Sequence, residues 1–233
     1  VLNNSFQNIP QTNELDFIKS RLPFWEHMTD LQIRNLETNI SKVTYHKGYN
    51  LHNSDHECLG VLFVKSGELR VYILSEDGRE ITLYRLLEGD ICIMSASCIL
   101  NSIHFDVHID AECETEAFLL NISYFGKLCD QNVYAENFAY KSTVERFSDI
   151  MQAMEQILFL SFDKRLATFL LEEIDKNHSN EIHLTQEQIA KYIGSAREVV
   201  SRTLKIFQNR GMVTQSRGII HVTDREQLED LLL

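Results

Sequence analysis

The stretch at residues 185–217 reads TQEQIAKYIGSAREVVSRTLKIFQNRGMVTQSR, and it decides the fold of the C-terminal region. Thr185 is followed three residues later by Gln188, a capping-box spacing in which each side chain can bond a free backbone N–H at a helix start. Gly194 can adopt the left-handed backbone that ends a helix, and Ser195 with Glu198 repeats the capping-box spacing directly after it. The stretch therefore predicts a helix-turn-helix: two helices joined by a tight turn.

The second of these helices is strongly two-sided. Its apolar side is predicted to hold Val200, Thr203, Leu204 and Phe207. Its polar side holds Glu198, Ser201, Arg202 and Lys205, at positions i, i+3, i+4 and i+7. Because this spacing follows the 3.6-residue helical period, one side can pack on the domain while the other stays free to contact a partner.

The same region inverts the charge of the chain. Residues 191–217 contain a single acid, Glu198, so their balance is +5 in a chain of net charge −12. The six basic residues of this range are Lys191, Arg197, Arg202, Lys205, Arg210 and Arg217. Neutralisation of phosphates supplies most non-specific DNA affinity, so a local basic strip is sufficient for binding. An ordinary solvated helix surface is the alternative, but the two capping patterns, the glycine turn and the charge inversion together favour DNA binding.

A small hairpin is predicted after the second helix. Gly211 is a natural helix C-cap, and the segments 212–215 and 219–222 lie on either side of a turn that contains Gly218. Such a hairpin is typical of the wing in a winged helix, and it would place Arg217 near a DNA phosphate.

This C-terminal segment resembles the DNA-binding domain of the Crp/Fnr family of bacterial transcription regulators. Upstream, residues 61–90, VLFVKSGELRVYILSEDGREITLYRLLEGD, resemble the cyclic-nucleotide-binding-like β-roll of that family. Independently of the resemblance, apolar runs interrupted by Ser66-Gly67, Asp77-Gly78 and Glu88-Gly89-Asp90 predict short strands joined by turns. We therefore expect an α+β chain with an N-terminal jelly-roll-like β-roll sensor domain, a long dimerisation helix and a C-terminal winged helix-turn-helix.

A heptad pattern lies between these two regions. Apolar residues recur at spacings of 4, 3, 4, 3 and 4, namely Tyr140, Val144, Phe147, Met151, Met154 and Leu158, and there is no Gly or Pro from residue 133 to 160. The strict pattern favours a parallel homodimer over a helix packed only within its own chain. In the family this helix is the dimer axis, and residues 162–166 match the hinge that follows it.

The predicted domain organisation follows from these segments. Residues 1–40 form an N-terminal segment, helical from Leu15 to Ile40 with a break at Pro23. Residues 41–130 form the cyclic-nucleotide-binding-like β-roll sensor domain, and residues 131–160 form the dimerisation helix. Residues 161–233 form the winged helix-turn-helix, whose first helix runs from Leu166 to Ile174.

Specific DNA contacts are predicted on the second helix, taken as residues 195–209. Arg202 can make a bidentate contact to guanine, and Glu198 can accept a hydrogen bond from a cytosine amino group. Ser201 and Arg197 are also within reach, with Arg197 as suited to a phosphate as to a base, and Lys205 and Arg217 complete the predicted set. The order Glu-x-x-Ser-Arg resembles the fumarate-and-nitrate-reduction branch, which implies a TTGAT-like half-site in an inverted repeat.

The effector is expected to differ from a cyclic nucleotide. The cyclic-AMP branch carries a glutamate for the ribose and an arginine-serine pair for the phosphate after its Gly-Asp, whereas residues 90–110 contain neither Arg nor Glu. A cyclic phosphate without a cationic partner would be poorly stabilised. The effector pocket is instead assigned to Cys92, Ser95, Ser97 and Cys98, for a small-molecule or redox effector.

The cysteine pattern gives no support to a metal cofactor. The oxygen-sensing branch holds an iron–sulfur cluster with cysteines near its N-terminus, but the five cysteines here (Cys58, Cys92, Cys98, Cys113 and Cys129) are dispersed without a CxxC pair. An iron–sulfur cluster or haem therefore stays an alternative that the spacing does not support. Cys92 and Cys98 are the residues that could be redox-reactive or bind a metal or haem. Cys113 and Cys129 are expected to be small buried hydrophobes.

The remaining sequence excludes several other classes of protein. In residues 103–111, His and Asp alternate with apolar residues, which favours a solvated strand face over a metal site. We find no apolar run of membrane-spanning length, no signal peptide and no catalytic motif, so we expect a cytoplasmic regulator that is not an enzyme. RNA polymerase is the partner that the family resemblance adds to DNA. The alternative is a β-roll protein that binds a ligand or partner but not DNA.

Overall fold

The structure, a computed structural model, describes residues 12–52, 60–76, 78–93 and 107–232. Contacts within the chain divide it into two compact units. The first contains the chain up to Tyr72 together with Leu83–Ile150, and the second contains Ile73–Thr82 together with the chain from Met151 onwards.

The first unit begins with the predicted broken helical segment. Helix α1 (Thr12–Arg21) ends before Pro23, a 3₁₀ turn covers Trp25–His27, and α2 runs over Asp30–Thr38. A capping box fixes the start of α2, since Thr29 N donates to Gln32 Oε1 at 2.9 Å and Gln32 N donates to Thr29 Oγ1 at 3.3 Å. The helix ends two residues earlier than predicted, because Ile40 is already the first residue of a strand.

The described part of the chain before residue 122 contains two antiparallel sheets of four strands each. Strands β1 (Ile40–Tyr45), β8 (Thr115–Leu120), β3 (Val61–Ser66) and β6 (Ile91–Cys92) make one sheet, in that order. Strands β2 (Asn50–His52), β7 (His108–Ala111), β4 (Leu69–Leu74) and β5 (Glu80–Leu86) make the other. This confirms the predicted β-roll class.

Strand β3 is buried on both faces. The side chains of Val61 through Val64 are all fully buried, which explains why this strand is continuously apolar in sequence rather than alternating. The turn after β3 requires glycine, since Gly67 has φ +94° and an added Cβ would lie 2.6 Å from the Glu114 carbonyl oxygen.

The predicted long helix is continuous. After α3 (Ile122–Gln131), helix α4 runs unbroken over Val133–Phe159. Ala135 and Ala139 are buried against the core of the first unit. The predicted heptad side chains lie on an uncovered face, with exposed fractions between 45% and 67%; they are Tyr140, Val144, Phe147, Met151, Met154 and Leu158.

The second unit contains the predicted winged helix-turn-helix. Its helices are α5 (Phe162–Asn177), α6 (Gln186–Tyr192), α7 (Arg197–Asn209) and α8 (Arg225–Asp230). Strands β10 (Val213–Ser216), β11 (Ile219–Val222) and β9 (Glu181–Ile182) form a three-stranded sheet in that order. Arg225 in α8 donates to both carboxylate oxygens of Asp175 in α5, at 2.5 and 3.0 Å. This ion pair holds α8 against α5.

Candidate nucleic-acid interface

The first helix of the motif begins at the predicted capping box. Thr185 N donates to Gln188 Oε1 at 2.9 Å, and Gln188 N donates to Thr185 Oγ1 at 3.2 Å. Ile189 and Ala190 then bury the inner face of α6. The sequence pattern therefore identified the start of α6 to the residue.

The turn after α6 is tight because Gly194 adopts the left-handed conformation, with φ +61°. Ser195 N donates to the carbonyl oxygen of Ala190, five residues earlier, at 2.9 Å. This is the 6→1 hydrogen bond of a Schellman motif. The predicted second capping box at Ser195 and Glu198 is wrong. The N-cap of α7 is Ala196, which makes no side-chain cap, because the Ser195 backbone is already used to close α6.

Helix α7 has the predicted two-sided character. Val200, Leu204 and Phe207 are at most 1% exposed and Thr203 is 7% exposed, so this side joins the core of the second unit. The opposite side carries exposed Arg197, Glu198, Ser201, Arg202 and Lys205. Within the described ranges, none of these five side chains has a hydrogen bond or an ion pair. The polar side is thus free for contacts outside the chain.

The hairpin of β10 and β11 is the predicted wing, and glutamine side chains link it to α7 by hydrogen bonds. Strands β10 and β11 pair in register from Val213↔Val222 to Ser216↔Ile219, and Gly218 (φ +76°) lies in the turn as predicted, beside exposed Arg217. Gln215 in β10 donates to Gln208 Oε1 of α7 at 3.0 Å. Gln215 also accepts from Gln186 Nε2 of α6 at 3.1 Å.

This glutamine bridge was not predicted from the sequence. Gln186, Gln208 and Gln215 are separated by 22 and 7 residues, and no short pattern distinguishes them from ordinary surface glutamines. An amide carries both donors and an acceptor, so one side chain can bridge two others. The bridge fixes the wing relative to both helices of the motif.

The basic strip is less uniform than its sequence suggests. Lys191 Nζ lies 3.0 Å from Glu80 Oε1, and the Lys191 carbonyl oxygen accepts from Thr82 Oγ1 at 3.3 Å; all three residues belong to the second unit. On the inner side of the turn, Arg165 donates to the Ile193 carbonyl oxygen at 3.1 Å, and burial lowers the pKa of Arg165. Lys191 is therefore paired with an acid of the chain, unlike the exposed cations of α7.

The sensor-side residues are only partly described. Cys92 is fully buried in β6, whereas Ser95, Ser97, Cys98 and Cys58 lie outside the described residues. Burial, together with the adjacent Cys92 thiol, raises the pKa of Tyr84 in β5 well above its ordinary value. The Arg146 guanidinium of α4 stands 5.1 Å from the centre of the Tyr84 ring. A chain of contacts therefore runs from Cys92 through Tyr84 to α4.

The other two described cysteines behave differently from each other. The prediction that Cys113 is buried is wrong: it is exposed, because it lies in the turn between β7 and β8. Cys129 is partly buried in α3 and packs against the core, and burial raises its pKa to about 11.

The polar side of β7 is paired rather than simply solvated. Asp110 Oδ1 accepts from Asn50 Nδ2 at 2.7 Å, and Asp110 Oδ2 lies 3.7 Å from Arg70 Nη2. Arg70 is 2% exposed, and its Nε lies 2.9 Å from Glu112 Oε1. His104 and Asp106 lie outside the described residues. Where the chain is described, no group of three or more His, Cys, Asp or Glu could hold a metal ion.

Comparison with known proteins assigns both halves of the chain. Residues 42–132 match the model of the cyclic nucleotide-binding domain, and residues 164–231 match that of the Crp-like helix-turn-helix domain. A solved structure from Eubacterium rectale ATCC 33656, assigned to the Crp/Fnr family of transcriptional regulators, is 42% identical. The match covers 91% of this chain and 99% of that one, with a TM-score of 0.88.

The chain belongs to the Crp/Fnr family. With its helix-turn-helix and cyclic nucleotide-binding-like domains, this Crp/Fnr protein is a DNA-binding transcription regulator. More distant structures share its fold, including FixK2 from Bradyrhizobium japonicum (24% identity, TM-score 0.67, 82% of this chain and 96% of that one). A CooA mutant from Carboxydothermus hydrogenoformans does so at 21% identity, with a TM-score of 0.64 and coverage of 91% and 95%.

Two further observations concern the chain as a whole. A search of curated protein sequences finds no match to this Crp/Fnr chain. None of the helices in the described parts of the chain combines the length and the apolar composition needed to cross a bilayer.

Proposed function

We propose that this regulator works as a homodimer that places two copies of α7 in successive major grooves of an inverted repeat. The exposed heptad face of α4 supports this, because six large apolar side chains in one row are costly to leave in water. Two recognition helices related by a two-fold axis suit half-sites roughly 34 Å apart. The observation that carries the DNA-binding part is the free polar side of α7 opposite its buried side.

We infer that Arg202 and Glu198 provide the base contacts within each half-site. Arg202 presents a guanidinium with two parallel donors for guanine O6 and N7, and Glu198 presents acceptors for a cytosine amino group. Arg197, Ser201 and Lys205 lie on the same exposed side of α7, and Arg217 lies at the tip of the wing. We assign these residues to phosphate and flanking base contacts, on a TTGAT-like half-site.

We infer that the sensor domain responds to an effector other than a cyclic nucleotide. The buried cation Arg70 is held between Asp110 and Glu112, so its charge is already balanced by acids of the protein. The contacts from Cys92 through Tyr84 to Arg146 supply a route by which a small-molecule or redox effector could alter the packing of α4. Calorimetry that detected micromolar binding of cyclic AMP would contradict this assignment.

We place this function in the cytoplasm, with RNA polymerase as a further partner and no catalytic step. The regulator then acts by occupying an operator, and its control depends on an effector that favours one arrangement of the dimer by about 1–3 kcal/mol. The N-terminal segment (1–40), β-roll (41–130), dimerisation helix (131–160) and DNA-binding domain (161–233) are the proposed functional divisions.

The proposal is tested by measuring DNA binding and oligomeric state for the native protein and for a variant in the apolar heptad row of α4. Fluorescence anisotropy on duplexes with inverted TTGAT repeats should give tight, salt-dependent binding at one helical turn of separation and weaker binding at half a turn. Phe147→Glu places a charge in the apolar row and should produce monomers with reduced operator affinity. Gln152→Glu adds the same charge to α4 away from the heptad row and should behave as the native protein.

Two results would overturn this proposal. One is native protein that stays monomeric at all concentrations while binding the operator fully. The other is an affinity that is independent of both half-site spacing and sequence.

A further inference from the structure

The heptad row of α4 continues upstream of Tyr140. Asn137 precedes Tyr140 by three residues, and Val133 precedes Asn137 by four, so both fall in the same 3–4 register. Val133 is 66% exposed and Asn137 is exposed, whereas Ala135 and Ala139 between them are buried in the core of the first unit. The uncovered face of α4 therefore extends to the first turn of the helix.

The spacing assigns a heptad position to every residue in this face. Three residues separate an a position from the following d position, and four separate d from the next a. The a positions are thus Asn137, Val144, Met151 and Leu158, and the d positions are Val133, Tyr140, Phe147 and Met154. Asn137 carries an amide, whereas the other seven side chains of this row are aliphatic, aromatic or thioether groups.

An asparagine at an a position favours one particular pairing of two helices. In a parallel pair with aligned heptads, the two Asn137 side chains face each other, and each amide can donate to the carbonyl of its copy. Any slipped or antiparallel pairing would place the amide against an apolar side chain, with its polar atoms unsatisfied. Across the described parts of the chain, the Asn137 side chain has no hydrogen bond.

Two charged residues beside Asn137 select the same arrangement. Glu136 occupies a g position, and Lys141, five residues later, occupies the e position of the next heptad; both are exposed. In a parallel pair, g of one helix lies beside the following e of the other, so Glu136 meets the opposite charge of Lys141 in the second copy. An antiparallel pair would place Glu136 opposite the C-terminal half of the second helix, far from Lys141, so this attraction would be lost.

We propose that Asn137, flanked by Glu136 and Lys141, locks two copies of this chain into a parallel, aligned pair. The apolar row provides the association energy, and these three residues provide its register at the N-terminal end of α4. The inference rests on the homodimer of the proposed function and adds the residues that determine its orientation. A correct register matters because a slip along α4 would displace one recognition helix relative to the other.

Charge exchange on the full-length protein tests the ion pairs. Glu136→Lys and Lys141→Glu each create like-charge contacts, so each homodimer should dissociate about tenfold more readily at low salt. An equal mixture of the two variants should form predominantly heterodimers, measured by native mass spectrometry with one variant tagged. Glu145→Lys makes the same charge change at an exposed position off the row, and its homodimer should be as tight as the native one.

A second mixing experiment tests the asparagine itself. Asn137→Val fits the apolar row and keeps the fold, so its homodimer should be tighter than the native one. In an equal mixture with native protein, each heterodimer would place one amide against a valine. The heterodimer fraction should therefore fall clearly below the statistical value of about one half.

The outcomes separate this inference from the proposal beneath it. Native protein that remains monomeric would refute both the homodimer and the lock. A native dimer whose variants mix statistically, with homodimer affinities unaffected by Glu136→Lys, would retain the homodimer and refute the lock alone.

Discussion

Replacement of Arg202 with alanine should strongly reduce sequence discrimination while leaving the fold intact. The Arg202 side chain is exposed and has no hydrogen bond within the described chain, and alanine is at least as good a helix former. We therefore expect the free energy of unfolding to change by less than about 0.5 kcal/mol. A native-like thermal transition establishes that any change in DNA binding comes from the lost guanidinium.

The expected loss of specificity follows from the contact that Arg202 is proposed to make. A bidentate contact to guanine is worth about 1–3 kcal/mol of discrimination, and an operator bound by two copies contains two such contacts. The ratio of operator affinity to scrambled-duplex affinity should thus fall by at least about 30-fold. Fluorescence anisotropy titrations with both duplexes at two salt concentrations measure this ratio directly.

A matched variant separates loss of charge from loss of base contact. Arg210→Ala removes the same charge at the C-terminal end of α7, where the side chain is also exposed. It should weaken binding to both duplexes by a similar factor and leave their ratio unchanged. If Arg202→Ala preserved the native ratio, the assignment of Arg202 to a guanine would be wrong.

Three other perturbations test the site and its surroundings. Thr185→Ala removes the capping hydroxyl of α6 and should destabilise the protein by about 1 kcal/mol in urea unfolding, whereas Thr185→Ser should be nearly neutral. Gly194→Ala forces a side chain into φ +61° with its Cβ 3.1 Å from Ile81 Cγ1, and should cost at least about 1–2 kcal/mol. Alkylation at pH 8, followed by peptide mass spectrometry, should label exposed Cys113 rapidly and Cys129 slowly, and labelling of Cys129 should accelerate as the pH rises towards its pKa of about 11.

Each of these predictions has a result that would contradict it. Gly211 has φ +79° with open space around it, so Gly211→Ala isolates the backbone cost, and equal losses at Gly194 and Gly211 would exclude a role for the Ile81 contact. An unchanged unfolding midpoint for Thr185→Ala would mean that the capping box contributes nothing. Equal labelling of the two cysteines at pH 8 would show that burial does not protect Cys129.

Local patterns in the sequence were sufficient for the helix-turn-helix. The capping box at Thr185, the glycine turn and the two-sided spacing of α7 are all contained within about 25 residues, so neighbouring residues determine them. The exception is instructive: Ser195 and Glu198 match a capping box, yet α7 is capped by Ala196. The backbone N–H of Ser195 makes the hydrogen bond that closes α6, so it is not available for a capping box at the start of α7.

Features that depend on distant residues could not be predicted in this way. The glutamine bridge of the wing joins Gln186, Gln208 and Gln215 from three separate elements. The buried Arg70 is paired with Asp110 and Glu112, about forty residues later, which lie beside it in the folded sheet. Neither arrangement leaves a periodicity in the sequence, since tertiary packing alone brings these residues together.

The separation between the two sides of α7 also bears on how such regulators diversify. Val200, Leu204 and Phe207 hold the helix in place, and the exposed side chains opposite them contribute nothing to that packing. Substitutions at those exposed positions can accordingly accumulate at almost no thermodynamic penalty. Duplicated genes could therefore acquire new target promoters through a few surface changes, without compensating mutations elsewhere in the polypeptide.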